Sequence, residues 1–193
     1  TGRQIAINRW QFNSWGEKYD WEKDNEAGKK IVHESKLTWF DPKIVLEGGA
    51  IDVNGRGICL TTSSCLLNTN RNGGLSSEKM EKYLKSYLGI KKIIWLDGVL
   101  KGDDTDGHVD NLARFVNPST IVYMSEDDES DENYLDLKGI EETLKKARDL
   151  DEKPFVVIPL PMPRAIKDNN FRLPASYANF YIGNNAVLVP TFN

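Results

Sequence analysis

The sequence is poor in the residues that clip small folds together. Two cysteines, Cys59 and Cys65, and two histidines, His33 and His108, are spread over 193 residues, too few for a disulfide framework or a Cys/His zinc knuckle. No apolar run approaches the roughly eighteen residues of a membrane span, and no signal-like segment opens the chain. The default expectation is therefore a cytoplasmic protein that does not engage the membrane. A basic excess is missing too. The formal net charge is -4 and the Lys and Arg residues are scattered, which argues against a nucleic-acid partner. An acidic balance steers cations weakly. There is also no stretch that reads as a linker. Thr1-Gly2-Arg3 lacks an initiator Met, and the last residues follow directly on an apolar strand, so both ends read as cut.

What is present suits a buried core: 39% hydrophobic and 10% aromatic residues, within the size of one domain or one part of a modular fold. Short β-rich runs recur at 5–7, 44–46, 57–62, 92–96, 120–124, 155–160, 178–182 and 186–189, each with the length and the β-branched or aromatic enrichment of a strand. Asn54-Gly55 reads as a type I′ hairpin turn, and Gly183-Asn184-Asn185 as a second turn. One helix is expected from Ser76 or Ser77 to Leu88, with Met80, Tyr83, Leu84, Tyr87 and Leu88 on one face and Gly89 at its end. A second is expected over about 137–148, and a weaker one over about 22–32. The order strand, strand, helix, strand therefore occurs at least twice, which favours a modular α/β architecture over a doubly wound sheet.

The chemistry concentrates in Gly102-Asp103-Asp104-Thr105-Asp106-Gly107-His108-Val109-Asp110-Asn111. Four carboxylates and an imidazole crowd a stretch with no helical period, and like charges so close need a cation nearby. On extended backbone His108 and Asp110, two apart, would address one space. A proton-transfer group beside a fixed negative charge suits chemistry on a cationic substrate. Turn formation by Asp, Gly and Thr is the plainer reading. Glu47, at the end of an apolar run and followed by Gly48-Gly49, is a second candidate, against the plainer reading of a strand end with a glycine turn. The aromatic run 10–19 reads as a pocket wall for an organic cation or as core. Asn68 to Asn72 reads as a turn held by side chains. Cys59 reads as a small buried hydrophobe, and Cys65 has no adjacent base in the sequence. His33 reads as a surface or helix-end residue. The acidic run 126–132 reads as a solvated loop rather than a calcium loop.

Several segments together resemble agmatine deiminases and the bacterial peptidylarginine deiminases of the same type. They are Trp10 to Tyr19, Leu46-Glu47-Gly48-Gly49, Thr61 to Asn72, Gly102 to Asn111, Asp127 to Asp131 and Leu173 to Phe180. The resemblance covers nearly all of residues 1–193 and implies a partial deiminase domain of pentein type. That fold is a pseudo-fivefold α/β propeller of strand-helix repeats around a central site, here an incomplete propeller.

The activity implied is hydrolysis of a guanidinium group, agmatine to N-carbamoylputrescine and ammonia, through a covalent amidino-cysteine intermediate. No metal or organic cofactor is implied. The resemblance makes His108 the general acid and base, Asp110 a guanidinium-binding carboxylate, and Glu47 a residue that orients the histidine or shares the charge. Asp104, Asp106 and Trp15 become supporting residues of the substrate pocket. The family's nucleophile lies in a glycine-rich segment ending His-Cys, which these 193 residues do not contain, as they also lack the family's Trp-x-Arg-Asp segment. The chain alone is therefore expected to be inactive. A peptidylarginine deiminase is the alternative within the class. Outside it stand a metallohydrolase built on Asp104, Asp106, His108 and Asp110, and a catalytically silent fragment or binding module. The partner expected is a small guanidino cation, with neither nucleic acid nor membrane; a homo-oligomer is left open.

Overall fold

The structure, a computed structural model, describes residues 5–192; residues 1–4, with the Thr1-Gly2-Arg3 start, and Asn193 lie outside the described residues. The chain folds as two compact units, one of Thr1–Glu47 and Leu66–Gly89, the other of Gly48–Cys65 and Ile90–Asn193.

In the first unit β1 (Ala6–Asn8) pairs in parallel with β2 (Thr38–Phe40). Between them runs helix α1 (Glu22–Ser35), three residues longer than the periodicity suggests because it continues to a left-handed cap at Lys36. The strand expected at 44–46 does not form. Gln11 and Val45 make a single parallel bridge, while Asn72 takes both backbone groups of Val45, accepting from its N–H at 2.8 Å and donating to its carbonyl at 3.0 Å. A side-chain amide thus occupies what a ladder would use. Helix α2 (Ser77–Leu88) has the expected bounds, buries Met80 and Leu84 and stops at Gly89 with φ of 67°. That left-handed cap suits glycine.

The second unit repeats one pattern. β3 (Ile51–Val53) runs antiparallel to β4 (Ile58–Thr62), which is parallel to β5 (Lys92–Leu96). Likewise β6 (Ala113–Asn117) runs antiparallel to β7 (Thr120–Ser125), which is parallel to β8 (Val156–Pro161). In chain order α2 falls between β4 and β5, and α3 (Tyr134–Lys146) between β7 and β8. This is the strand, strand, helix, strand order expected from the sequence. β4 and β7 are the central strands, hence the buried apolar runs Ile58-Cys59-Leu60 and Ile121-Val122-Tyr123-Met124. Ile58, Leu60, Leu96, Ile121, Met124 and Ile140 meet in one buried core, each worth about 1.5–3 kcal/mol of burial.

Three local expectations change. The β3–β4 hairpin turns through residues 54–57, and positive φ falls on Gly55 (69°) and Gly57 (93°), not on Asn54. Asn54 instead caps the turn, its Oδ1 accepting from the N–H groups of Arg56 at 2.9 Å and Ile58 at 3.0 Å. α3 starts three residues early, at Tyr134, and ends at Lys146 where Ala147 turns extended. Of the run 178–182 only Tyr181–Ile182 pairs, antiparallel to Val187–Leu188. Ahead of it the backbone bends to place the Ala178 N–H on Ser176 Oγ and the Phe180 carbonyl on Arg114. Among the described residues no helix is long and apolar enough to cross a membrane.

Candidate active site

The loop that carries His108 is built by Asp103, a residue given no role by the sequence reading. Its Oδ1 accepts from the Thr105 N–H at 2.8 Å and the Thr105 hydroxyl at 2.5 Å, and its Oδ2 from the Gly107 N–H at 3.1 Å. The Thr105 hydroxyl oxygen in turn accepts from the His108 N–H at 3.3 Å. The wrapped backbone forces φ of 64° on Asp106 and 98° on Gly107. The signal was present in the sequence, since Asp followed two residues on by Thr and four on by Gly is an Asx-turn pattern. A Cβ on Gly107 would also meet Ser64 and the Gly98 carbonyl.

His108 is buried at 7% exposure. The chain then makes one 3-10 turn, Val109–Asn111, with His108 as its N-cap. The segment is not extended, so the two-residue alternation is not what brings imidazole and carboxylate together. They converge on Gly49, in the turn Gly48–Ala50: a Cβ there would lie 2.5 Å from His108 Nδ1 and 2.6 Å from Asp110 Oδ2. Both supporting loops hang from neighbouring residues of β4. The Thr61 hydroxyl donates to the Ala50 carbonyl at 2.8 Å, and the Thr62 hydroxyl to the Gly107 carbonyl at 2.5 Å.

Burial lifts the Asp110 pKa to about 6; Asp103 and Asp52 push it the same way, while Arg114 and the Asn111 N–H oppose them. Asp110 Oδ1 is buried without a hydrogen-bond partner among the described residues. Desolvated negative charge of this kind is suited to a cation with planar N–H donors. Arg114 is held by Asp52 Oδ1 at 2.9 Å, by the Phe180 carbonyl at 3.1 Å, and over the Phe180 ring. Cys65 is fully buried, and its Sγ lies within 4.8 Å of a His108 ring nitrogen. The fold thus brings it a base that lies 43 residues away in sequence, where the sequence reading found none adjacent. Cys59 is fully buried and burial pushes its thiol up to about 12, as suits an inert core residue.

Glu47 and Trp15 belong to the first unit. Glu47 is buried at 6% and its Oε1 accepts from Arg71 Nε at 2.6 Å. Arg71 also donates to Asn70 Oδ1 at 2.8 Å, and the Asn70 carbonyl accepts from Asn13 Nδ2 at 2.9 Å. Trp15, in left-handed backbone with φ of 55°, stands edge-on to Phe12 and Tyr19. Asn68 holds the turn that follows it as expected, its Oδ1 accepting from the Asn70 N–H at 3.2 Å, whereas the Asn72 side chain is spent on Val45.

Asp104 is exposed and Asp106 half-buried on the loop before His108. Among the described residues no three of Asp104, Asp106, His108 and Asp110 bring ligand atoms together at metal-binding spacing. His33 is exposed in the last turn of α1. The acidic run is largely exposed, yet both oxygens of Asp131 accept from Arg172 at 2.8 Å.

A family model described as Porphyromonas-type peptidyl-arginine deiminase matches residues 2–193. The agmatine deiminase of Medicago truncatula is 39% identical over 213 residues, covering 98% of this chain and 57% of that protein. A solved structure of C. jejuni agmatine deiminase with substrate bound matches at 44% identity and a TM-score of 0.87, over 95% of this chain and 54% of that one. The agmatine deiminase of Enterococcus faecalis matches at 30% identity and a TM-score of 0.88, over 96% and 57%. The chain thus spans about half the length of the curated relatives it matches. With a matching model over nearly its whole length and a mixed α/β fold shared with these structures, the chain belongs to the Porphyromonas-type peptidyl-arginine deiminase family.

Proposed function

We propose that this chain is part of an enzyme that hydrolyses the guanidinium group of agmatine, giving N-carbamoylputrescine and ammonia. The observation that carries the reading is the convergence of His108 Nδ1 and the desolvated Asp110 carboxylate on Gly49. The curated relatives named as agmatine deiminases support the choice of substrate.

In the reaction a cysteine thiolate adds to the guanidinium carbon, and ammonia leaves after His108 gives its ring proton to the departing nitrogen. His108 then takes a proton from water, which attacks the amidino carbon, and the thiolate leaves to release the ureido product. Asp110 accepts two guanidinium N–H bonds and keeps the carbon electrophilic by fixing the cation's plane. Glu47, Asp104, Asp106 and Trp15 enter from the family resemblance, Glu47 as a supporting carboxylate and the others as pocket residues. The nucleophile comes from the family's His-Cys segment rather than from Cys59 or Cys65.

The two sheets of one pattern would be two blades of a pentein propeller, within a partial deiminase domain over 1–193. The parent enzyme would be cytoplasmic, and the 193 residues alone would show no turnover. The family description favours a second substrate, peptidyl-arginine. Ammonia release by the whole protein from agmatine and from a blocked arginyl peptide, measured side by side, tests the reading. Faster turnover of agmatine supports it, and turnover of the peptide alone transfers the assignment.

A further inference from the structure

Gly48 and Gly49 are neighbours with opposite surroundings. A Cβ on Gly48 would meet nothing within 4 Å, whereas one on Gly49 would lie 2.5 Å from His108 Nδ1, 2.6 Å from Asp110 Oδ2 and 3.1 Å from Asp110 Cγ. Neither has the left-handed φ that favours glycine, so the backbone alone does not require glycine at 49. The space does. Carbon does not approach nitrogen or oxygen that closely, and close-packed interiors transmit such a clash rather than absorb it. The loops have little freedom to part, because Thr61 holds the Ala50 carbonyl and Thr62 the Gly107 carbonyl.

We infer that Gly49 is a positioning residue for the reaction: the side chain it lacks is the room in which the His108 imidazole and the Asp110 carboxylate meet. This rests on the proposed roles of His108 and Asp110. A single methyl at 49 displaces one or both groups, and a misplacement near 1 Å typically costs on the order of a hundredfold in rate.

The test compares Gly49→Ala and Gly48→Ala in the whole protein with agmatine. Gly49→Ala is expected to lower kcat by about a hundredfold and to change KM less. It also moves the acidic limb of the kcat/KM profile to lower pH as Asp110 leaves its buried seat. Asp103, Asp52 and Arg114, which also act on Asp110, and the neighbouring His108 are unchanged in the variant. Gly48→Ala keeps kcat within about twofold, since open space faces it.

A stability cycle tests the geometry apart from activity. Gly49→Ala lowers Tm in the native background but not in a protein carrying His108→Ala and Asp110→Ala, where the space is vacated. If Gly49→Ala fails to fold alone yet folds in that background, the inference stands. Native kcat with an unmoved pH profile, or an equal loss of Tm in both backgrounds, overturns it. Absence of ammonia release by the unmutated protein would sink the proposed function, and the stability cycle would still decide the role of Gly49.

Discussion

The Thr62 hydroxyl donates to the Gly107 carbonyl at 2.5 Å, joining a strand to a loop 45 residues away. Thr62 is fully buried, so a side chain of the same shape without the hydroxyl leaves the carbonyl unsatisfied. Thr62→Val is expected to cost about 1–3 kcal/mol and to lower turnover by loosening the loop of His108. Thr62→Ser should keep most of both. Denaturant unfolding of the two variants checks this, and equal stabilities would contradict it.

Arg71 and Glu47 form an ion pair with 0% and 5% side-chain exposure. Removing one partner leaves the other charge in a dry site. Arg71→Met is expected to destabilise by about 3–5 kcal/mol, and Arg71→Met with Glu47→Leu by clearly less than the single change. Urea unfolding of both variants decides between this and an indifferent pair.

Asp110 should oppose stability to activity. Its pKa is raised to about 6 from an ordinary value of about 3.9, so the folded protein holds this proton more tightly than the unfolded chain. The corresponding stability is fully present below about pH 4 and is lost as pH rises through about 6. Asp110→Asn should therefore gain on the order of 2 kcal/mol at pH 8 and nothing near pH 4. Turnover runs the other way: kcat/KM falls as pH drops through about 6, because the ionised carboxylate is the form that binds the guanidinium, and Asp110→Asn loses turnover at every pH. Unfolding at pH 4 and 8, with a kcat/KM profile, measures both signs.

The two cysteines are both fully buried. Brief treatment of the folded protein with iodoacetamide should leave Cys59 and Cys65 unmodified by mass spectrometry. Cys65→Ala should keep turnover within about tenfold, whereas loss of a covalent nucleophile costs on the order of ten-thousandfold or more. A nucleophile-sized loss would make Cys65, near a His108 nitrogen, the attacking group.

Elements governed by local pattern were legible in the sequence. α2 is one, where apolar spacing and Gly89 fix both bounds, and β5 at 92–96 and the repeated strand, strand, helix, strand order are others. Elements decided by distant side chains were not. Asn72 takes the hydrogen bonds of a strand at Val45, and Arg114 and Ser176 bend the run at 178–182. That His108 and Asp110 face one space was expected, but for the wrong reason. The segment makes a 3-10 turn, and the room for the pair comes from Gly49, 59 residues before His108. Asp103 and Thr62 carried only turn and strand signals, because what they bind is set by tertiary structure.

Ammonia release from agmatine, measured in the whole protein with His108 intact and with His108→Ala, decides whether His108 carries the proton transfers. The expected result is steady release by the first and a loss of about a hundredfold or more in the second, with unchanged melting behaviour. Equal turnover by both proteins would mean that His108 is not the general acid and base.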